Sequence, residues 1–143
     1  MITATLFRDY LDMLKDAATD DGITATVMLG YPEEGRPMPS LPVLALAFAG
    51  DGAQRSGQNV RLGETRPHGT EVTATLMLIA TDEYQLLQLI DFLRGIKEAA
   101  LGMVVGSDTF AINYDQTRRV PFGMSDLLHH AAETAVSFRK QVK

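Results

Sequence analysis

Gly69 to Gly102 reads GTEVTATLMLIATDEYQLLQLIDFLRGIKEAALG, and the reading of this stretch decides the fold. It opens with a period of two. Val72, Ala74, Leu76, Leu78 and Ala80 point one way and Thr73, Thr75, Met77 and Ile79 the other, which is the alternation of a strand. It then passes directly into a helix. Asp82 has the side chain of an N-cap, and Gln85, three residues on, is the reaching partner of a capping box. Leu86, Leu89, Ile90, Leu93, Ile96 and Ala100 recur at helical spacing, and Gly102 is the expected stop. Asp82 and Glu83 lie at the positive end of this helix, Arg94 and Lys97 towards the negative end, as the macrodipole prefers. Leu87 and Phe92 fall off the main apolar stripe. A second apolar direction on one helix points to a contact with another subunit, so both are candidate interface residues.

Working outward towards the start, residues 3–20 form an amphipathic helix. Leu6, Phe7, Tyr10, Leu11, Leu14 and Ala18 make its apolar face, with Thr3 or Thr5 as its cap. Asp20 and Asp21 oppose the dipole and Gly22 ends the helix, so fraying is expected there. From Ile23 to Tyr31 the period is two again. Residues 32–42, PEEGRPMPSLP, hold four of the six prolines and form a stiff link. In the strand that follows, both Leu44–Leu46–Phe48 and Val43–Ala45–Ala47–Ala49 are apolar sets. That strand is therefore central or covered by a partner.

Residues 50–69, GDGAQRSGQNVRLGETRPHG, have no apolar periodicity and five glycines. They read as a long Gly-rich β-hairpin arm, or a long loop, between two paired strands. Arg55, Arg61 and Arg66 outweigh Asp51 and Glu64, so the arm is positive on a chain of net charge -5. This suggests that the arm reaches an acidic partner surface. Beyond Gly102, residues 103–114 read as two short strands around Gly106-Ser107-Asp108. The last segment admits two readings. Ser125 could cap a helix using Leu128, Ala131, Ala132 and Ala135, or Thr134, Val136, Phe138 and Val142 could alternate in a closing strand. The reading adopted is a short helical turn at 125–130 followed by a strand. The whole is one α+β domain over residues 1–143, a mixed or antiparallel sheet packed by two helices.

Composition narrows the chemistry. The chain has no cysteine, which removes thiolate nucleophiles, disulfides and Cys-ligated metals. The acidic balance argues against a nucleic-acid partner, whose binding rests on phosphate neutralisation. No apolar run reaches the roughly 20 residues of a membrane helix, and the opening residues lack the pattern of a signal peptide. Adjacent His129 and His130 point apart on either a helix or a strand, and His68 stands alone, so no metal site is expected. Glu33 and Glu34 read as a solvated turn. Ser107 and Ser125 lack a nucleophile-elbow context, and the glycines of the arm form no phosphate-binding motif. Arg118-Arg119, beside Pro121, suits a surface salt bridge or an interface contact. No cofactor and no enzymatic activity are expected. The surplus of apolar faces points to self-assembly.

The element order resembles that of the tail terminator (tail completion) proteins of long-tailed bacteriophages, the family of the lambda minor tail protein U. LFRDYLDMLKDA, PSLPVLALAFAG after the Pro-rich link, the Gly-rich arm and EVTATLMLIATDEYQLLQLIDFL carry the likeness over most of the chain. It transfers no site residue. It implies a homo-hexameric ring at the head-proximal end of the tail, assembled in the host cytoplasm and carried in the virion. The ring would cap the tail tube protein, stop its polymerisation, and give the head-tail connector or stopper protein a docking surface. The alternative is similarity to the class I type III secretion chaperones, small acidic α+β dimers that wrap an extended segment. A helical C-terminus would favour that alternative.

Overall fold

The computed structural model describes residues 2–33, 36–37, 39–53, 70–99, 102–124 and 127–141. Glu34, Arg55, Arg61, Arg66, His68 and Ser125 lie outside them, as does most of the expected arm. Strand β3 (Thr70–Ala80) and helix α2 (Glu83–Ala99) form the expected strand-to-helix unit. The alternation of β3 is realised in its burial. Val72, Ala74, Leu76, Leu78 and Ala80 enter the main core, and Met77 and Ile79 enter a smaller cluster on the other face. Asp82 Oδ1 accepts the Gln85 N–H at 2.8 Å, which satisfies one free donor of the first turn. The return bond is displaced by one residue from a regular capping box, because Gln85 Oε1 accepts from the Thr81 N–H (2.8 Å) and not from that of Asp82. Gly102 is not the helix stop. It opens β4 (Gly102–Val105), where an added Cβ would lie 3.1 Å from the Phe110 carbonyl oxygen.

Helix α1 spans Ile2–Asp20, so Thr3 and Thr5 are inside it and do not cap it. Its other end is closed by backbone hydrogen bonds. The Ile23 N–H reaches the Ala18 carbonyl (2.8 Å) and the Gly22 N–H that of Thr19 (3.0 Å), with Gly22 at φ +77°. This is the Schellman arrangement, which places glycine where a Cβ would be strained. Strand β1 (Thr26–Leu29) is shorter than its sequence pattern at both ends, and Gly30, at φ +83°, marks where it stops. Strand β2 (Val43–Ala53) pairs parallel with β1 and antiparallel with β3, and a bulge between Phe48 and Gly50 shifts its register.

Strand β5 (Asp108–Tyr114) returns from β4 around Gly106, which lies at φ +64°. Then come β6 (Arg118–Arg119), β7 (Phe122–Met124) and β8 (Leu127–Lys140). The expected helical turn over 127–130 is strand. One edge of β8 pairs with β3 from His130 to Arg139. Its other edge pairs in turn with β7, β6 and β5. A helical turn at 127–130 would forfeit the ladders that residues 127–129 make with β7 and His130 makes with Ala80. The sheet order is β1-β2-β3-β8-β5-β4, with β6 and β7 also on β8.

Both helices bury their stripes on one face of this mixed sheet, which is the α+β architecture expected. Phe7 and Tyr10 of α1 meet Phe138 of β8, the Tyr10 ring edge-on with centroids 5.1 Å apart. The opposite face carries Val43, Ala45, Met77, Ile79 and Ala131, covered by Leu41 of the Pro-rich link and by Val120 and Phe122 around β7. Tyr10 and Tyr114 share a hydrogen bond between hydroxyls at 2.8 Å. Burial is the main cause that raises both phenols above their usual range. A raised phenol pKa in the fold gives stability that is present below the unfolded value of about 10 and is lost as pH rises through the folded value. Denaturant titrations from pH 8 to 11.5 should therefore show stability falling above about pH 10, less steeply in Tyr10→Phe. At pH 7 the same variant should lose about 1 kcal/mol, the contribution of one such hydrogen bond.

Candidate assembly surface

The polar side chains form clasps between elements. Glu83, in the first turn of α2, accepts a hydrogen bond from Arg119 Nη2 of β6 and stands 3.4 Å from His130 Nδ1 of β8. The Arg119 hydrogen bond, with His130 adding a smaller effect, holds the Glu83 carboxyl below its ordinary value. This contribution is present at neutral pH and is lost as pH falls through the lowered value. Arg118 faces Glu133 at 3.5 Å. Both arginines are thus in surface salt bridges, and pairs this exposed add little stability. Lys97 Nζ donates to the Asp115 carbonyl oxygen (2.9 Å) and to Thr117 Oγ1 (3.0 Å), and desolvation lowers its pKa. It ties the end of α2 to the chain leaving β5. Among the described residues no group of three or more His, Asp or Glu side chains is placed to hold a metal, and no helix is long and apolar enough to cross a membrane. The side chain of His129 lies outside the described residues.

The exposed apolar side chains are a different population. Leu87 is 50% exposed, and Tyr84 stands one turn before it on the same side of α2. Phe92 corrects the reading of this helix. It is 5% exposed and belongs to the main core. A helix lying on a sheet buries a broad arc, and Phe92 sits at the edge of that arc, next to Leu89, Leu93 and Ile96. Leu29 and Phe48 protrude on the helix-bearing face, where β1 and β2 outrun the helices; each is 57% exposed. Val104 protrudes from β4, the strand that ends the sheet on the far side. Exposure of Phe48 was partly legible beforehand, since both faces of its strand are apolar. Nothing in the sequence distinguished Leu29 from Ile23, Ala25 and Val27, the partly buried residues of the same alternating set.

A crevice of about 380 Å³ opens where the end of α1, the end of the Pro-rich link and the start of α2 meet. Asp21 and Gly22 form one wall, Gln85 and Gln88 the other, and Leu41 and Leu89 also line it. It was not foreseen from the sequence, because three distant segments build it. No family model matches the chain, and no curated protein matches it.

Two substitutions on α2 separate its faces. Phe92→Asp should prevent stable folding, since losing a buried phenylalanine alone costs about 3–5 kcal/mol before an unpaired charge is added. Leu87→Glu should leave monomer stability within about 0.5 kcal/mol of wild type. Circular dichroism melts of the two variants check both.

Proposed function

We propose that this chain is a structural assembly subunit resembling the phage tail terminators. Six copies close into a ring on the head-proximal end of a tail tube. The ring ends polymerisation of the tube protein and presents the surface on which the connector or stopper protein of the head docks. The observation that carries this reading is the element order read through to the C-terminus: helix, two strands, a third strand, helix, then strands ending in β8. The chaperone-like alternative drew on a helical C-terminus, and residues 127–140 are strand. Exposed Leu29, Phe48, Leu87 and Val104 supply apolar contacts for such a subunit. The clasps around Glu83 and Lys97 are bonded within the chain, so the reading assigns no catalytic step to them.

Native mass spectrometry of the purified chain tests the ring, with negative-stain microscopy for its symmetry. Six-fold rings that block elongation of purified tail tube protein are the expected result. A strict dimer at all concentrations would overturn the ring and restore the chaperone-like reading.

A further inference from the structure

The geometry points to the crevice between α1 and α2 as a receptor for a guanidinium group, and to an arginine of residues 54–69 of a neighbouring copy as its occupant. This deepens the ring reading and rests on it. Three observations carry it. The first is charge. Asp21 lines the crevice and Asp20 precedes it, at the negative end of the α1 dipole, and among the described residues no basic one lines it. Lys15 lines an adjoining shallower depression across Gly22–Thr24. The second is shape. A cleft of this volume, lined by Asp21, Gln85, Gln88, Leu41 and Leu89, suits a planar cation with an aliphatic stem, with Gln88 as the free amide because Gln85 Oε1 is bonded to Thr81. The third is reach. The crevice adjoins Pro42, at the start of β2, whereas residues 54–69 lie in sequence between Ala53, at the other end of β2, and its register partner Thr70. The length of β2, at about 3.3 Å per residue, puts about 33 Å between the two.

That distance decides which copy supplies the arginine. Arg55 stands two residues beyond Ala53 and Arg66 four before Thr70, so neither reaches the crevice of its own chain. Arg61 extends at most about 29 Å of backbone from Ala53, so even with its side chain it comes to the crevice of its own chain only with the segment drawn straight back along its own sheet. The basic segment lies in sequence between residues at one end of the sheet, and the acidic crevice lies at the other. Such a pair is satisfied head to tail between copies, the heterologous contact that closes rings.

Reciprocal charge exchange tests the inference. Asp21→Arg places a cation at the end of α1, which the dipole favours, so the variant should melt no lower than wild type. Its assembly, followed by sedimentation velocity, should nevertheless weaken about tenfold, as should that of a chain carrying Arg55→Glu, Arg61→Glu and Arg66→Glu. All four changes in one chain should recover most of the lost affinity. Wild-type assembly by Asp21→Arg, or no recovery in the combined chain, overturns the inference and leaves the ring intact. If the wild-type chain does not assemble at all, a synthetic peptide of residues 54–69 is titrated into it and followed by NMR. Salt-sensitive shifts at Gly22, Gln85 and Gln88 that vanish in Asp21→Asn support the crevice as the receptor. No shifts there overturn it.

Discussion

Strand β8 is bonded along both edges, and most of the fold depends on this. From His130 to Arg139 it lies against β3, and its other edge takes β7, β6 and β5 in succession. The first ladder joins the last segment of the chain to the strand that launches α2. The second fixes the path of residues 108–124, so Val120 and Phe122 come to rest over the cluster on the side away from the helices. Without β8, β3 would have an open edge and β5 no strand on its inner side. Such long-range pairing is costly to nucleate, because the loop entropy precedes the contacts that reward it.

The two faces of the sheet are closed by different means. One takes two amphipathic helices, whose stripes supply Leu6, Tyr10, Leu14, Leu86, Leu89 and Leu93, all essentially without solvent contact. The other takes irregular chain: Leu41 from the Pro-rich link and the residues flanking β7. This explains why β2 is apolar on both sides with helices on only one of them. The smaller cluster includes Ala45 and Ala131, whose short side chains let a link without regular structure lie close to the sheet.

How legible the fold was in the sequence follows from the range of the interactions that decide each element. The unit from Thr70 to Ala99 is local: alternation, a cap and a helical stripe lie within one stretch, and the structure follows them closely. The Pro-rich link and the turn at Gly106 are local too. The segment 127–130 was misread because its periodicity suits helix and strand equally, and the deciding contacts come from Ala80 and from 122–124. Phe92 was misread because the stripe was drawn through Ile90, whereas the sheet covers the arc through Leu89, Phe92 and Ile96, and Ile90 is only partly buried. Of the candidate interface residues, Leu87 is exposed, Arg118 and Arg119 are engaged within the chain, and Arg55, Arg61 and Arg66 lie outside the described residues. The crevice has no local signature, since its walls come from residues 21–24, 41–42 and 85–89.

The end of α1 is where local preference and the observed sequence disagree most. The helix carries no basic residue in its last turn, and Asp20 and Asp21 stand where the dipole disfavours them. Asp12, Asp16 and Asp20 follow one another at intervals of four, a spacing at which like charges repel on a helix surface. The backbone at the same point is closed as well as a helix end can be, by both bonds of the Schellman arrangement at Gly22. Good backbone chemistry thus holds up poor electrostatics, and a sequence that breaks a local rule at one place tends to do so where it meets something else. A cation brought to this end from outside the subunit would remove the conflict. The free subunit would keep a stable helix end throughout, because its closure depends on glycine and backbone hydrogen bonds and on neither aspartate.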